Sequence, residues 1–270
     1  MNPKTSNWIP QSRIRLAVGI ALGLAALGVA GGFWSRGALV LLVPAFGAGW
    51  AAFLMLRIRH QLSPRGGGWE RRIHETVAAR LALPPNARAS LLDIGCGDAS
   101  LLVALLHGSP EIRATGVDRW GANWSYEQAA CEARLSRLGL DAAFQRMDAG
   151  ALAFPDGSFD LVVSVMCFHE VRAATGASLS GPLAALAEAL RVLRPGGMFV
   201  LIDRFGSTAD YGDPARLEMI LLATQDLRRE PLVPTLGVPW PLRTRRALGP
   251  VEMLSGRRTP GASSPGSNLA

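Results

Sequence analysis

The stretch Leu91-Leu92-Asp93-Ile94-Gly95-Cys96-Gly97-Asp98 constrains this chain more than any other. A short apolar run enters a tight glycine turn, and a helix-compatible run, about 99–107, follows at once. Strand, turn and helix in that order form half of a crossover unit, which commits the chain to a parallel sheet with helices over its faces. Glycine at 95 and 97 leaves no Cβ between the backbone and a ligand. A second acid, Asp118, ends the next apolar run, Ala114-Thr115-Gly116-Val117. A glycine turn with a carboxylate at the neighbouring strand tip builds a pocket for an adenine nucleoside, whose ribose hydroxyls donate to the acid.

The same alternation continues downstream. Apolar runs predict strands at about 89–94, 112–117, 142–147, 159–165 and 198–203. Helices are expected at about 69–83, 99–107, 125–138, 179–193 and 213–229. The runs are mostly unbroken, as in Leu161-Val162-Val163, which fits strands covered on both faces. Arg194-Pro195-Gly196-Gly197 is expected to end a helix, with glycine in the left-handed cap. Val251-Glu252-Met253-Leu254 is a candidate last strand. The fold class is therefore α/β, a Rossmann-like doubly wound sheet of about seven strands over residues 69–255. Residues 256–270 are expected to be a disordered tail.

The N-terminus belongs to another regime. Residues 16–34 and 38–56 are two 19-residue stretches without charge, separated by Ser35-Arg36-Gly37. Each spans about 28 Å as a helix, against roughly 30 Å of bilayer hydrocarbon. They predict a transmembrane hairpin within residues 1–59, followed by a linker at 60–68. A cleaved signal peptide or a buried hairpin is the alternative, but the length and the immediate second span favour the membrane. Gly19, Gly23 and Gly28, with Ala17, Ala21 and Ala25, allow close helix approach. Lys4, Arg13 and Arg15 precede the hairpin and Arg57, Arg59, Arg65, Arg71 and Arg72 follow it, whereas the turn holds only Arg36. The positive-inside rule then puts both termini and the folded domain in the cytoplasm. Trp8, Trp34 and Trp50 are candidate depth markers.

The net charge of +7 conceals a division: residues 1–72 carry +8, residues 73–227 carry −6 and residues 228–270 carry +5. Basic ends around an acidic middle do not form the basic reading surface that nucleic acid needs. They suit either anionic lipid or a solvated linker. Cys96, Cys131 and Cys167 show neither metal-ligand spacing nor a disulfide framework, so no metal is expected.

The glycine turn alone does not choose between cofactors, but its surroundings do. Ser100 replaces the third glycine of G-x-G-x-x-G, which argues against a nicotinamide dinucleotide and an oxidoreductase. Asp148 ends the third strand after Gln145-Arg146-Met147, and Phe154-Pro155-Asp156-Gly157-Ser158-Phe159-Asp160 leads into the fourth. Taken in order with Leu193-Arg194-Pro195-Gly196-Gly197, these blocks make residues 85–205 resemble the class I S-adenosylmethionine-dependent methyltransferases of the type 11 group. Asp118-Arg119-Trp120-Gly121-Ala122-Asn123-Trp124-Ser125 with Phe168-His169-Glu170-Val171 looks like a membrane-associated subgroup of that family.

The resemblance implies a role for each matching position. Asp93 would serve the methionine end of S-adenosyl-L-methionine. Gly95, Cys96 and Gly97 would pass under the sulfonium and ribose, and Asp118 would take the ribose hydroxyls. Asp148 would accept from the adenine amino group, with Met147 and Ala149 beside the ring, and Arg119 and Val165 would complete the cofactor set. Ala99 departs from the family, which has glycine there. His169, just past the fourth strand, is the candidate general base; a cap or pocket-wall role is the alternative. Trp120 and Trp124 are candidate walls. The expected partners are the membrane and a small, lipophilic acceptor; a non-catalytic membrane scaffold of the same fold is the competing reading.

Overall fold

The computed structural model describes residues 8–9, 11–109, 111–121 and 127–261. The chain divides into two compact units, the N-terminal part through Arg71 with Trp240–Leu242, and the remainder.

In the first unit, α1 (Gln11–Gly32) and α2 (Leu42–Leu62) are joined by a 3-10 segment, Arg36–Leu41. Both arms are long and apolar enough to cross a membrane. Their large apolar side chains are exposed: Leu22 of α1 is 66% exposed and Phe46 of α2 75%. Three glycines of α1 make the hairpin turn possible. A Cβ on Gly28 would lie 3.2 Å from Leu42 Cδ2, one on Gly31 2.8 Å from Ala38 Cβ, and one on Gly32 2.8 Å from Leu39 Cδ2. Gly19 and Gly23, also expected at a helix contact, have nothing within 4 Å. The expected linker begins inside α2, which runs on to Leu62, and then forms an ordered turn in which Gly66 N and Gly68 N both donate to Ser63 O.

From α3 (Trp69–Leu81) onward the chain builds one seven-stranded sheet. Its strands are β1 (Ser90–Ile94), β2 (Arg113–Asp118), β3 (Ala143–Arg146), β4 (Phe159–Val165), β5 (Leu193–Asp203), β6 (Thr224–Pro231) and β7 (Glu252–Arg258). The order is β3-β2-β1-β4-β5-β7-β6; the first five strands are parallel, and β7 is antiparallel to β5 and β6. The helices are α4 (Ser100–Gly108), α5 (Gln128–Arg137), α6 (Gly181–Val192), α7 (Thr208–Tyr211), α8 (Pro214–Leu221) and α9 (Leu232–Leu236). α6 buries Leu183, Leu186 and Leu190 against Val162, Phe199 and Leu201, which forms the main core.

Three expectations are corrected. The helix foreseen over 213–229 stops at Leu221, and Thr224–Pro231 is the edge strand β6. Its residues favour helix by themselves; antiparallel pairing of Arg228–Pro231 with Glu252–Ser255 overrides that preference. The tail foreseen from 256 starts later, because Gly256, Arg257 and Arg258 belong to β7 and 262–270 lie outside the described residues. Finally, Arg194–Gly197 is the start of β5 and no loop follows α6. The helix foreseen from 125 is described from Gln128.

Candidate functional site: a cofactor pocket at the carboxyl ends of the parallel strands

The glycine turn sits where β1 ends, in the middle of the sheet between β2 and β4. Gly95 N and Cys96 N both donate to Val117 O, at 2.8 and 3.1 Å, so the turn is tied to β2. Asp118 then holds it from the side: its Oδ2 accepts from Gly97 N at 2.9 Å and its Oδ1 from Trp120 N at 2.9 Å. Each oxygen keeps a further lone pair, which a ribose hydroxyl can use. Gly97 O in turn accepts from Trp120 Nε1 at 3.0 Å and Cys131 Sγ at 3.2 Å. Trp120 is 2% exposed, so this side chain clamps the turn instead of lining open space. Trp124 lies outside the described residues.

Gly95 is required for a nearer reason than ligand approach. Its φ is +76°, and a Cβ there would fall 2.3 Å from Cys167 Cβ. Likewise a Cβ on Gly116 would fall 2.9 Å from Cys96 Sγ. The three cysteines, remote in sequence, thus converge on one turn. Burial pushes the Cys167 thiol up; a hydrogen bond with Cys131 and then burial do the same to Cys96. Both are packing thiols in character.

Ala99 takes the left-handed conformation, φ +62°, that glycine would adopt freely. The turn survives this substitution because α4 is capped from Asp98, whose Oδ1 accepts from Ser100 N at 3.1 Å. Ser100 Oγ receives Arg134 Nη1 at 2.8 Å, and Arg134 pairs with Asp98. Ser100 therefore locks the helix start. His74, buried near Asp98 and Arg134, is pushed down to about 4, chiefly by burial.

Asp93 stands in β1, two residues before the glycine turn. It is 1% exposed, and its Oδ2 has no hydrogen-bond partner. Burial first, then Asp118 and Asp98, push its carboxyl up to about 8. A buried carboxyl with one unpartnered oxygen beside other acids suits a cationic ligand, whose charge would draw it into the ionised form; S-adenosylmethionine bears both an ammonium and a sulfonium. At the tip of β3, Asp148 Oδ1 accepts from Gly150 N at 2.9 Å, and Arg119 Nη1 stands 3.5 Å from Oδ2. The Arg119 side chain is 64% exposed, so that pair is weak. Met147 N donates to Asp118 O at 3.1 Å, which brings the β2 and β3 tips together; Ala149 is buried behind them. Val165 ends β4 paired with Ile202.

His169 lies in a 3-10 turn, Phe168–Glu170, after β4. Its Nδ1 meets Asp203 Oδ1 at 2.9 Å. Asp203, 1% exposed, also accepts from Phe168 N at 2.8 Å and Arg204 N at 2.6 Å. Burial works against the charged imidazole, but the Asp203 hydrogen bond and charge outweigh it and raise the His169 pKa above its ordinary value. A carboxylate on Nδ1 fixes the tautomer that leaves the Nε2 lone pair for an acceptor proton. Asp203 was missed in the sequence; the available signal was an acid ending the fifth apolar strand, just as Asp118 ends the second.

The geometry agrees with the comparisons to known proteins. Residues 92–201 match the family described as "Methyltransferase domain". A demethylmenaquinone methyltransferase of Thermus thermophilus is 33% identical over 135 residues, 50% of this chain and 53% of that one. A 2-methyl-6-phytyl-1,4-hydroquinone methyltransferase of Synechocystis sp. is 35% identical over 123 residues, 45% of this chain and 33% of the other. A phosphatidylethanolamine N-methyltransferase of Cereibacter sphaeroides is 29% identical over 154 residues, 56% of this chain and 67% of the other. The chain thus spans about a third to a half the length of the first two relatives. Among solved structures, geranyl diphosphate C-methyltransferase from Streptomyces coelicolor A3(2) shares the fold, with a TM-score of 0.54 at 15% identity over 76% of this chain and 82% of that one. Over residues 92–201 the chain is thus similar to methyltransferase domains, and it shares its fold with a solved methyltransferase. The glycines and acids gathered at this turn suit S-adenosylmethionine, the cofactor that the resemblance implies.

Proposed function

We propose that this chain is a methyltransferase that is anchored in the membrane by α1 and α2 and methylates a small, lipophilic acceptor. The observation that carries the reading is the buried Asp93 carboxyl beside the glycine turn, with its Oδ2 unpartnered. The two apolar helices and the quinone and phospholipid acceptors named for the relatives support the lipophilic acceptor.

The cofactor supplies an electrophilic methyl group on a sulfonium. The task left to the protein is alignment and proton handling. Asp93 neutralises the cationic end, and Asp118 and Asp148 fix the two ends of the adenosine. His169, held by Asp203, takes the proton from an acceptor that must lose one as the methyl arrives. In this reading residues 1–59 are the hairpin, the domain starts at Trp69, and both termini lie in the cytoplasm.

Equilibrium dialysis of the purified protein with labelled S-adenosylmethionine tests the site. The wild type should bind, Asp93→Asn should weaken binding by about 10- to 100-fold, and Asp118→Ala should abolish it. Unchanged binding in both variants would falsify the assignment.

A further inference from the structure

We propose that Trp240, with the arginines that follow it in sequence, is a second membrane contact, and that it docks on anionic lipid headgroups. This rests on the membrane-anchoring reading and adds to it a site for one lipid chemistry.

Trp240–Leu242 is remote from the hairpin in sequence, yet it belongs to the same compact unit. The tie is a hydrogen bond across 179 residues: Gln61 Nε2, in the last turn of α2, donates to Trp240 O at 3.0 Å. The charge-free span ends at Leu56, five residues before Gln61. Gln61 therefore stands about 7.5 Å further along the helix axis. The headgroup layer on each side of a bilayer is about 5–8 Å deep. A span that fills the hydrocarbon thus leaves Gln61, and the Trp240 backbone with it, among the headgroups. Pro241 and Leu242 are buried, whereas Trp240 is 46% exposed. A half-open indole on a fixed backbone, apolar in body and with one N–H donor, is the kind of side chain that settles in this layer.

The charge around it selects the kind of headgroup. Residues 231–251 hold no Asp or Glu and three arginines, Arg243, Arg245 and Arg246, all of them exposed. The backbone itself keeps them close to Trp240. The farthest, Arg246, is four residues past Leu242, a reach of at most about 14 Å. At the end of α2, Arg57 and Arg65 are exposed too, and residues 1–69 hold no acid. Cations around an exposed tryptophan, with no carboxylate in either segment, complement a negative surface and gain little from a zwitterionic one. Three arginines close to such a surface shift the balance between docked and free segment by about 100-fold. That holds the segment down once the hairpin is inserted, and is too little to anchor the chain by itself.

The test uses the full chain in vesicles of phosphatidylcholine, alone or mixed with phosphatidylglycerol. Thr244→Cys carries a fluorophore, quenched on contact by lipids with nitroxide headgroups. Phe53→Cys carries the same fluorophore within α2, quenched by lipids with nitroxide acyl chains. The unsubstituted chain, taken through the same labelling, gives the background from the native cysteines. The label at 244 should be quenched in phosphatidylglycerol vesicles. That quenching should fall by at least about threefold in phosphatidylcholine alone, and likewise in about 1 M salt, where the Debye length is about 3 Å. Arg243→Gln, Arg245→Gln and Arg246→Gln together should lower it as far, and Trp240→Ala should also reduce it. The label at 53 should be quenched in every case. If it is quenched in no vesicle, the anchoring reading is overturned and this inference with it. With the label at 53 quenched, any of four results overturns the inference alone: no quenching at 244 in phosphatidylglycerol, equal quenching in phosphatidylcholine, quenching that persists in high salt, or unchanged quenching in either the arginine or the tryptophan variant. The lipid and salt comparisons use the native docking residues, so they decide even if a variant misfolds.

Discussion

Asp93 shows how one side chain can link binding, protons and stability. Its carboxyl, pushed up to about 8, holds a proton in the folded protein that the unfolded chain gives up near pH 4. The folded state therefore binds more protons between these values, and stability without cofactor falls as pH rises through this window. Above about 8 the slope disappears, because both states are ionised. The bound cationic cofactor favours the carboxylate, so its affinity should rise over the same range. Melting curves across the window, with and without S-adenosylmethionine, should show a slope that the cofactor flattens and that Asp93→Asn removes. An equal slope in the variant would assign it to another group. Ala99 gives a second test at this scale. Its left-handed backbone costs about 1–2 kcal/mol relative to glycine, so Ala99→Gly should be neutral or stabilising by about 1 kcal/mol in urea denaturation. Gly95→Ala should do the opposite: it combines a φ of +76° with a Cβ contact of 2.3 Å, and cofactor binding should be lost.

Among the elements, those built from neighbours in sequence were legible in it. β1, the glycine turn and α4 are consecutive, and the spacing of Asp93, Gly95, Gly97 and Asp118 singled out the candidate site. β4 was foreseen with the bounds it has, 159–165, because its apolar run is bracketed by a Pro-Asp-Gly turn. The misread parts are those defined by distant partners. Gln225–Glu230 has residues that suit a helix, and only the return of β7 makes it a strand. Cys131 meets Gly97 across 34 residues, and His169 meets Asp203 across 34, so neither pairing has a local signature. The hairpin glycines divide in the same way. Composition marked Gly19, Gly23 and Gly28 alike, but only Gly28 packs closely, together with Gly31 and Gly32. Gly19→Ala should therefore leave thermal stability in detergent intact or slightly improved. Gly31→Ala, with its Cβ 2.8 Å from that of Ala38, should lower it by about 1–3 kcal/mol.

For the whole molecule, the proposed activity makes a signed prediction about pH. His169 must be neutral to accept a proton, and Asp203 raises its pKa above the ordinary value. The rate with a saturating lipid acceptor should then climb with pH through a limb that lies above about 6.5. Asp203→Asn should move that limb to lower pH and reduce kcat by about 100-fold or more, with S-adenosylmethionine affinity retained. A limb that stays in place would remove His169 from the chemistry. Topology has its own check: a cysteine introduced at Ser35 should be labelled by an impermeant maleimide from outside intact cells, and a C-terminal reporter should be active only inside. The proposed membrane anchoring also has a kinetic consequence. An enzyme confined to a bilayer samples its acceptor in two dimensions, so what it responds to is the acceptor's mole fraction among the lipids. Adding inert phospholipid at constant total acceptor should slow turnover by surface dilution, while removal of α1 and α2 should abolish that dependence.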